Sequence, residues 1–265
     1  MPQGCVALIW LGQAGFLIEG AGQRIIIDPY LSNSLAEKYF GKKFPHIRMT
    51  PAPFVPAELT DIDWLLCTHA HTDHMDPGTI PDLVATNPDM RVLVPRATRT
   101  TALERGVPPD RLFMIDAGES MDMGDVAVTA TPAAHETLSL TTDGLHPFLG
   151  FVLTIGRLTI WHSGDTIPFD GLVPAVRNLG VDLALLPING RDALRASNGI
   201  PGNLTVEEAV HLTNAIGASH MLGHHFNLFE FNTVDPSDAR MRISNIDTDV
   251  DVSIAERGQL FTLRK

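Results

Sequence analysis

Seven consecutive residues, Thr68-His69-Ala70-His71-Thr72-Asp73-His74, include four side chains able to ligate a metal ion. They follow an apolar run, Trp64-Leu65-Leu66-Cys67, which reads as a buried strand delivering ligands into a loop. In extended backbone, side chains two apart point to one side, so His69 and His71 can grip one ion together. Asp73 and His74 come after a turn of the backbone and face a second position nearby. Imidazole and carboxylate together suit zinc, manganese or iron, and the lack of thiolate argues against a closed structural zinc site. Solvated polar loops rarely concentrate ligands at this spacing.

Ligands of this kind need elements that hold them. Cys5 to Trp10, Phe16 to Glu19 and Arg24 to Ile27 read as a β-meander, turned at Gly12-Gln13-Ala14-Gly15 and Gly20-Ala21-Gly22. The meander ends at Asp28-Pro29, where Asp28 is either a turn former or the partner that orients a ligating histidine. Residues 30–60 carry Pro45, Pro51, Pro53 and Pro56 and read as a long irregular loop, functional or mobile. Within it Arg48 is a candidate substrate-binding residue, and His46 reads as an ordinary surface residue. Helices are expected over 77–85 and 97–105 and strands over 91–94 and 112–115, so 61–116 alternates as an α/β layer should.

Further strands are expected over 126–131, 148–155, 158–162 and 182–191, the middle two joined at Gly156-Arg157. The strand over 182–191 delivers Asn189, a candidate donor to a substrate oxygen, and Arg191, a candidate partner for a carboxylate or phosphate. Residues 192–202 read as a flexible flap. Thr205 and Glu208 have capping-box spacing and open an amphipathic helix to about Gly217, with His211 structural or exposed. A last helix is expected over 236–242 and strands over 251–256 and 259–263.

The 265 residues and 44% apolar content allow one large domain, expected to span 1–265. No apolar stretch approaches membrane-spanning length. Met1-Pro2-Gln3-Gly4 lacks the basic start of a secretory signal, so a cytoplasmic location is expected. Cys5 and Cys67 lie in apolar runs and are expected as buried free thiols. A net charge of −12, read with no cluster of Lys or Arg, disfavours nucleic acid and membrane as partners. A small-molecule substrate, neutral or anionic, is the expected partner, because bound cations would invert the local field. No Gly-x-Ser-x-Gly motif or glycine-rich phosphate loop competes with metal chemistry.

The H-x-H-x-D-H pattern of His69, His71, Asp73 and His74 resembles the signature of the metallo-β-lactamase superfamily of hydrolases. The resemblance implies an α/β four-layer αββα sandwich, two mixed β-sheets flanked by helices. It also implies three more ligands in chain order. His135, at the end of Thr131-Pro132-Ala133-Ala134, falls on the first metal; Asp165, in Ser163-Gly164-Asp165-Thr166, bridges both; a histidine of His224-His225-Phe226 falls on the second. In that superfamily an aromatic residue follows the last ligand, which implies His225, with His224 the alternative. The implied first set is His69, His71, His135 and Asp165, and the second is Asp73, His74, His225 and Asp165. Two manganese or zinc ions held this way lower the pKa of a bridging water, with Asp73 and Asp165 as the catalytic carboxylates and Glu136 as a supporting residue.

Trp10-Leu11-Gly12-Gln13-Ala14-Gly15, Asp28-Pro29-Tyr30-Leu31-Ser32, Ser163-Gly164-Asp165-Thr166, Pro187-Ile188-Asn189-Gly190 and His225-Phe226 are similar to the L-ascorbate-6-phosphate lactonase-like branch. That branch implies hydrolysis of a small lactone or ester, in the lactonase itself a phosphorylated sugar lactone. The chain is shorter than that lactonase. Alternatives on the same fold are a phospholipase-D-like or nuclease-like phosphodiesterase and an iron-dependent persulfide dioxygenase. Self-association, frequent in the superfamily, is a further expectation.

Overall fold

Ile25, Ile26 and Ile27 are consecutive and all buried, but not in one core. Ile25 and Ile27 face the interior between two β-sheets, and Ile26 faces the opposite side with Leu65 and Val92. Side chains alternate across a strand, so a strand covered on both faces reads as an unbroken apolar run. The structure, a computed structural model, describes residues 4–265. Met1 to Gln3, on which the signal-sequence expectation partly rested, lie outside the described residues.

Strands β1 (Cys5–Gly12), β2 (Gly15–Gly20), β3 (Gln23–Ile27), β4 (Trp64–Leu66), β5 (Arg91–Pro95) and β6 (Leu112–Ile115) build the first sheet in chain order. The second holds β7 (Ser120–Asp122), β8 (Val126–Pro132), β9 (Leu149–Ile155), β10 (Leu158–His162), β11 (Leu183–Pro187), β12 (His220–His224) and β13 (Asp251–Ile254). β14 (Leu260–Arg264) returns to the first sheet and pairs antiparallel with β1. Each sheet is mixed. β1 to β3 are antiparallel and β3 to β6 parallel; β7 to β10 are antiparallel and β10 to β13 parallel.

Helices α1 (Ser34–Lys38), α2 (Ile80–Thr86), α3 (Arg99–Glu104), α4 (Leu172–Arg177), α5 (Ala193–Ser197), α6 (Val206–Ile216) and α7 (Pro236–Ser244) complete the chain. Ile80, Leu83 and Ala102 cover the outer face of the first sheet, and Val176, Val210 and Ala239 cover that of the second. The α/β architecture is therefore two mixed sheets flanked by helices. α6 starts with the expected capping box, Thr205 Oγ1 accepting from Glu208 N–H and Glu208 from Thr205 N–H, and stops at left-handed Gly217. Among the described residues, no helix is long and apolar enough to cross a membrane.

Three local expectations change. The stretch 192–202, expected as a flap, contains α5, because Asp192 caps its first turn by accepting from Arg195 N–H. The loop 30–60 contains α1 and a 3-10 turn at Pro56–Glu58. Cys67 is buried as expected, but Cys5 is only half-buried.

Candidate metal centre

β4 ends where Cys67 N–H donates to Leu93 O (3.0 Å), and the chain then turns sharply into the ligand loop. Asp28, at the end of β3, anchors that loop from beneath. Its carboxylate accepts from Thr68 N–H (2.7 Å), Thr68 Oγ1 (2.6 Å) and His74 Nδ1 (2.7 Å), and it is fully buried. The parallel pairing of β3 with β4 brings these residues together across forty positions of sequence. A histidine whose Nδ1 is committed in this way presents Nε2 as the free donor atom. Asp76 clamps the other end of the loop, accepting from Ser32 Oγ (2.9 Å), Ser34 Oγ (2.6 Å) and Thr79 Oγ1 (2.5 Å).

The remaining members arrive from the second sheet. His135 follows β8, Asp165 follows β10 and His225 follows β12. Gly164 has φ +63°, and a Cβ there would meet Leu149 O at 2.4 Å, so only glycine lets the chain deliver Asp165. Gln13, Asp28, Glu136 and His225 all take left-handed φ, a region rare for side-chain-bearing residues, around this one site.

His69, His71 and His135 bring ligand atoms within 4.8 Å of one another, as do His69, His74 and Asp165, and Asp73, His74 and His225. Asp165 Oδ2 lies between the groups, 3.4 Å from His74 Nε2, 3.2 Å from His225 Nε2 and 4.0 Å from His135 Nε2. All seven sequence-assigned ligands therefore gather at one place. His69 Nε2, His74 Nε2 and Asp165 Oδ1 are buried without any internal hydrogen-bond partner. Leaving such atoms unpaired is costly, and a cation satisfies all three, so the donor set fits a metal.

The electrostatics agree. Burial holds His69 well below the ordinary imidazole range and His135 at about 4, so both are neutral and able to ligate near pH 7. Burial also lowers His74, but the carboxylates of Asp165, Asp28 and Asp73 outweigh it and hold it well above the ordinary value. Asp165 stays ionised against its own burial through His225 and His74. The field that favours a proton on His74 also favours a divalent cation beside it.

The cluster forms the floor of a cleft of about 820 Å³, a size suited to a small molecule. The three candidate substrate-binding residues do not line it. Arg191 is committed to Glu208 through two bonds (2.5 and 2.7 Å) and to Asn203 O. Asn189 is buried between Asn232 Oδ1 (2.9 Å) and Asn203 Nδ2 (3.1 Å). Arg48 lies over the Tyr30 ring (4.3 Å) and donates to Ser32 O and Tyr30 O, pinning the loop. Each is held by partners within the chain. His46, expected on the surface, stacks on Tyr39 (4.1 Å) and packs edge-on to Phe229 and Phe231 in the cleft wall.

Gln13 escaped sequence reading, where it passed as a turn residue. Its Nε2 donates to Asp73 Oδ2 (2.8 Å) and lies 3.3 Å from His225 Nε2, tying the two sheets together at the cluster. A glutamine in a glycine-rich turn between apolar runs was the available signal. Lys38, Lys42 and Lys43 were also passed over; they line the cleft and correct the reading that the chain has no basic cluster.

A family model described as "Beta-lactamase superfamily domain" matches residues 23–226. The chain belongs to the beta-lactamase superfamily. Within that superfamily it is similar to a UPF0173 metal-dependent hydrolase of Pyrobaculum aerophilum, 29% identical over 238 residues, covering 89% of this chain and 91% of the relative. Among solved structures it is similar to an isothiocyanate hydrolase from Delia radicum gut bacteria (TM-score 0.77, 17% identity, 98% and 100% covered). It is also similar to Igni18, a metallo hydrolase from Ignicoccus hospitalis (TM-score 0.71, 20% identity, 98% and 99% covered). At such identities these two structures speak for the superfamily fold alone.

Proposed function

We propose that this protein is a metal-dependent hydrolase that binds two divalent cations, manganese or zinc, and opens a small lactone or ester. The observation carrying this reading is the place of Asp165, one carboxylate oxygen within 4.0 Å of His74, His135 and His225. The metal-dependent hydrolase names of the relatives support the same reading, as does the resemblance to the lactonase-like branch.

His69, His71, His135 and Asp165 would hold one cation, and Asp73, His74, His225 and Asp165 the other. Bound there, the pair supplies Lewis acidity and makes hydroxide available from water near neutral pH. Asp73, locked by Gln13 and the more open of the two carboxylates, faces the cleft and orients the attacking water. Asp28 keeps the His74 ring fixed while the charge around it changes. Among the described residues, the cleft lining contains neither Ser nor Cys, which supports direct attack by water over a covalent acyl intermediate. Phe148, against His69 and His135, gives that side of the cluster an apolar wall.

The test is metal content by mass spectrometry on protein purified without chelator, followed by turnover of lactones, aryl esters and bis(p-nitrophenyl) phosphate. About two equivalents of manganese or zinc with lactone or ester turnover, both lost in Asp165→Ala, is the expected result. About one equivalent of iron with oxygen consumption overturns it, and turnover of the phosphodiester alone transfers the protein to that class.

A further inference from the structure

The whole chain contains four lysines, and three of them, Lys38, Lys42 and Lys43, line the cleft above the histidine cluster. The fourth, Lys265, is paired with Asp182 (2.8 Å). Among the described residues, none of the three cleft lysines pairs with a carboxylate; their polar contacts are neutral. Lys38 Nζ lies 3.4 Å from Thr72 Oγ1, within the ligand loop, and Lys43 Nζ donates to Asn198 Oδ1 (2.6 Å) across the cleft mouth. Lysines retained only for solubility would be spread over the surface. Here a chain of net charge −12 places most of its ammonium groups at one cleft. Four cationic side chains face three anionic ones there before any metal is counted. Beside them the wall is aromatic: Phe148, Phe229, Phe231 and His46. Aromatic walls favour an apolar body over a polyol, whose hydroxyls they cannot bond.

We propose that the substrate is an amphiphilic anion, with a carboxylate or phosphate received by Lys38, Lys42 and Lys43 and an apolar body lying against Phe148, Phe229 and Phe231. The proposal relies on the hydrolase reading only in calling this ligand a substrate. Exposed ammonium groups suit the task because they reach a mobile anion as point charges without fixed geometry.

The experiment is calorimetric binding of four probes to the full metal-loaded chain: 4-phenylbutyrate, phenyl phosphate, neutral 4-phenylbutyramide and glucose 6-phosphate. At least one aromatic anion should bind about tenfold tighter than both the amide and the sugar phosphate; which one does so distinguishes carboxylate from phosphate. The combined Lys38→Gln, Lys42→Gln and Lys43→Gln variant should lose about that factor for the aromatic anion. Its affinity for the amide and its metal content should hold, and Lys265→Gln should match wild type throughout. Undiminished anion binding in the triple variant, or a sugar phosphate bound as tightly as the aromatic anions, overturns the proposal. Lysine-dependent binding without lactone or ester turnover would overturn the lactone-or-ester reading alone. Turnover with lysine-independent binding would overturn this proposal alone.

Discussion

His224 and His225 are adjacent in sequence and face opposite ways. His224 closes β12 and points between the sheets, stacked on His162 (centroids 4.9 Å apart) and edge-on to Phe16 (5.3 Å). His225 takes φ +64°, leaves the strand and brings its Nε2 to 3.2 Å from Asp165 Oδ2. Its N–H donates to Gln13 O (2.8 Å), which holds that turn against the other sheet.

The pair predicts opposite outcomes for two substitutions. His225→Ala should remove about one equivalent of bound metal. His224→Leu should leave the metal count intact and cost little stability, since both ring nitrogens of His224 lack partners in the core. Metal analysis alongside thermal denaturation checks both, and loss of metal from the Leu variant would reverse the assignment.

Asp28 acts on the site through His74 and Thr68 and is not itself among the clustered ligand atoms. Asp28→Ala should weaken metal binding by about 10- to 100-fold, in line with the loss of partners that orient ligands. Competition with a chromogenic chelator measures this, and wild-type affinity would remove the orienting role.

Gly164→Ala should destabilise the fold by at least about 2 kcal/mol. The added Cβ meets Leu149 O at 2.4 Å and Thr68 at 3.1 Å, and the φ of +63° disfavours any side chain. Urea denaturation of the two proteins gives the difference, and a shift near zero would show that the backbone yields there.

Arg242 on α7 grips Glu207 on α6, and this hydrogen bonding lowers the glutamate from 4.5 to about 2. A depressed acid stabilises the fold above its unfolded value and loses that contribution as pH falls from about 4.5 towards 2. Both side chains are partly exposed, so the contribution is at most about 1 kcal/mol. Glu207→Gln should therefore lie below wild type in melting temperature at pH 7 and converge with it near pH 2. A constant gap across that range would show that the pair does not titrate.

Burial and the Asp28 charge push the Cys67 thiol well above its ordinary value. Under native conditions only Cys5 should react readily with a thiol reagent, and Cys67 only at the rate of unfolding. Peptide mapping after timed alkylation separates the two, and rapid labelling of Cys67 would mean that the ligand loop opens.

The sequence by itself located most strands and the candidate metal ligands. Apolar runs of strand length, each stopping at a polar residue, located the strand ends, and local spacing suffices for that because strand period and turn chemistry are short-range. His69, His71, Asp73 and His74 were legible from local spacing, whereas His135, Asp165 and His225 were legible only through the resemblance to the superfamily. Tertiary structure alone decided what the remaining polar groups do. β13 and β14 both read as terminal strands yet join different sheets, because pairing depends on partners about 30 residues away for one and more than 250 for the other. Arg191, Asn189 and Arg48 looked available for substrate until Glu208, Asn232 and Tyr30 claimed them. Gln13 read as a turn residue and Lys38, Lys42 and Lys43 were passed over, yet the fold places all four around one cleft. A side chain's type fixes which bonds it can make; which of them it makes is fixed by what the fold brings within about 3 Å of it.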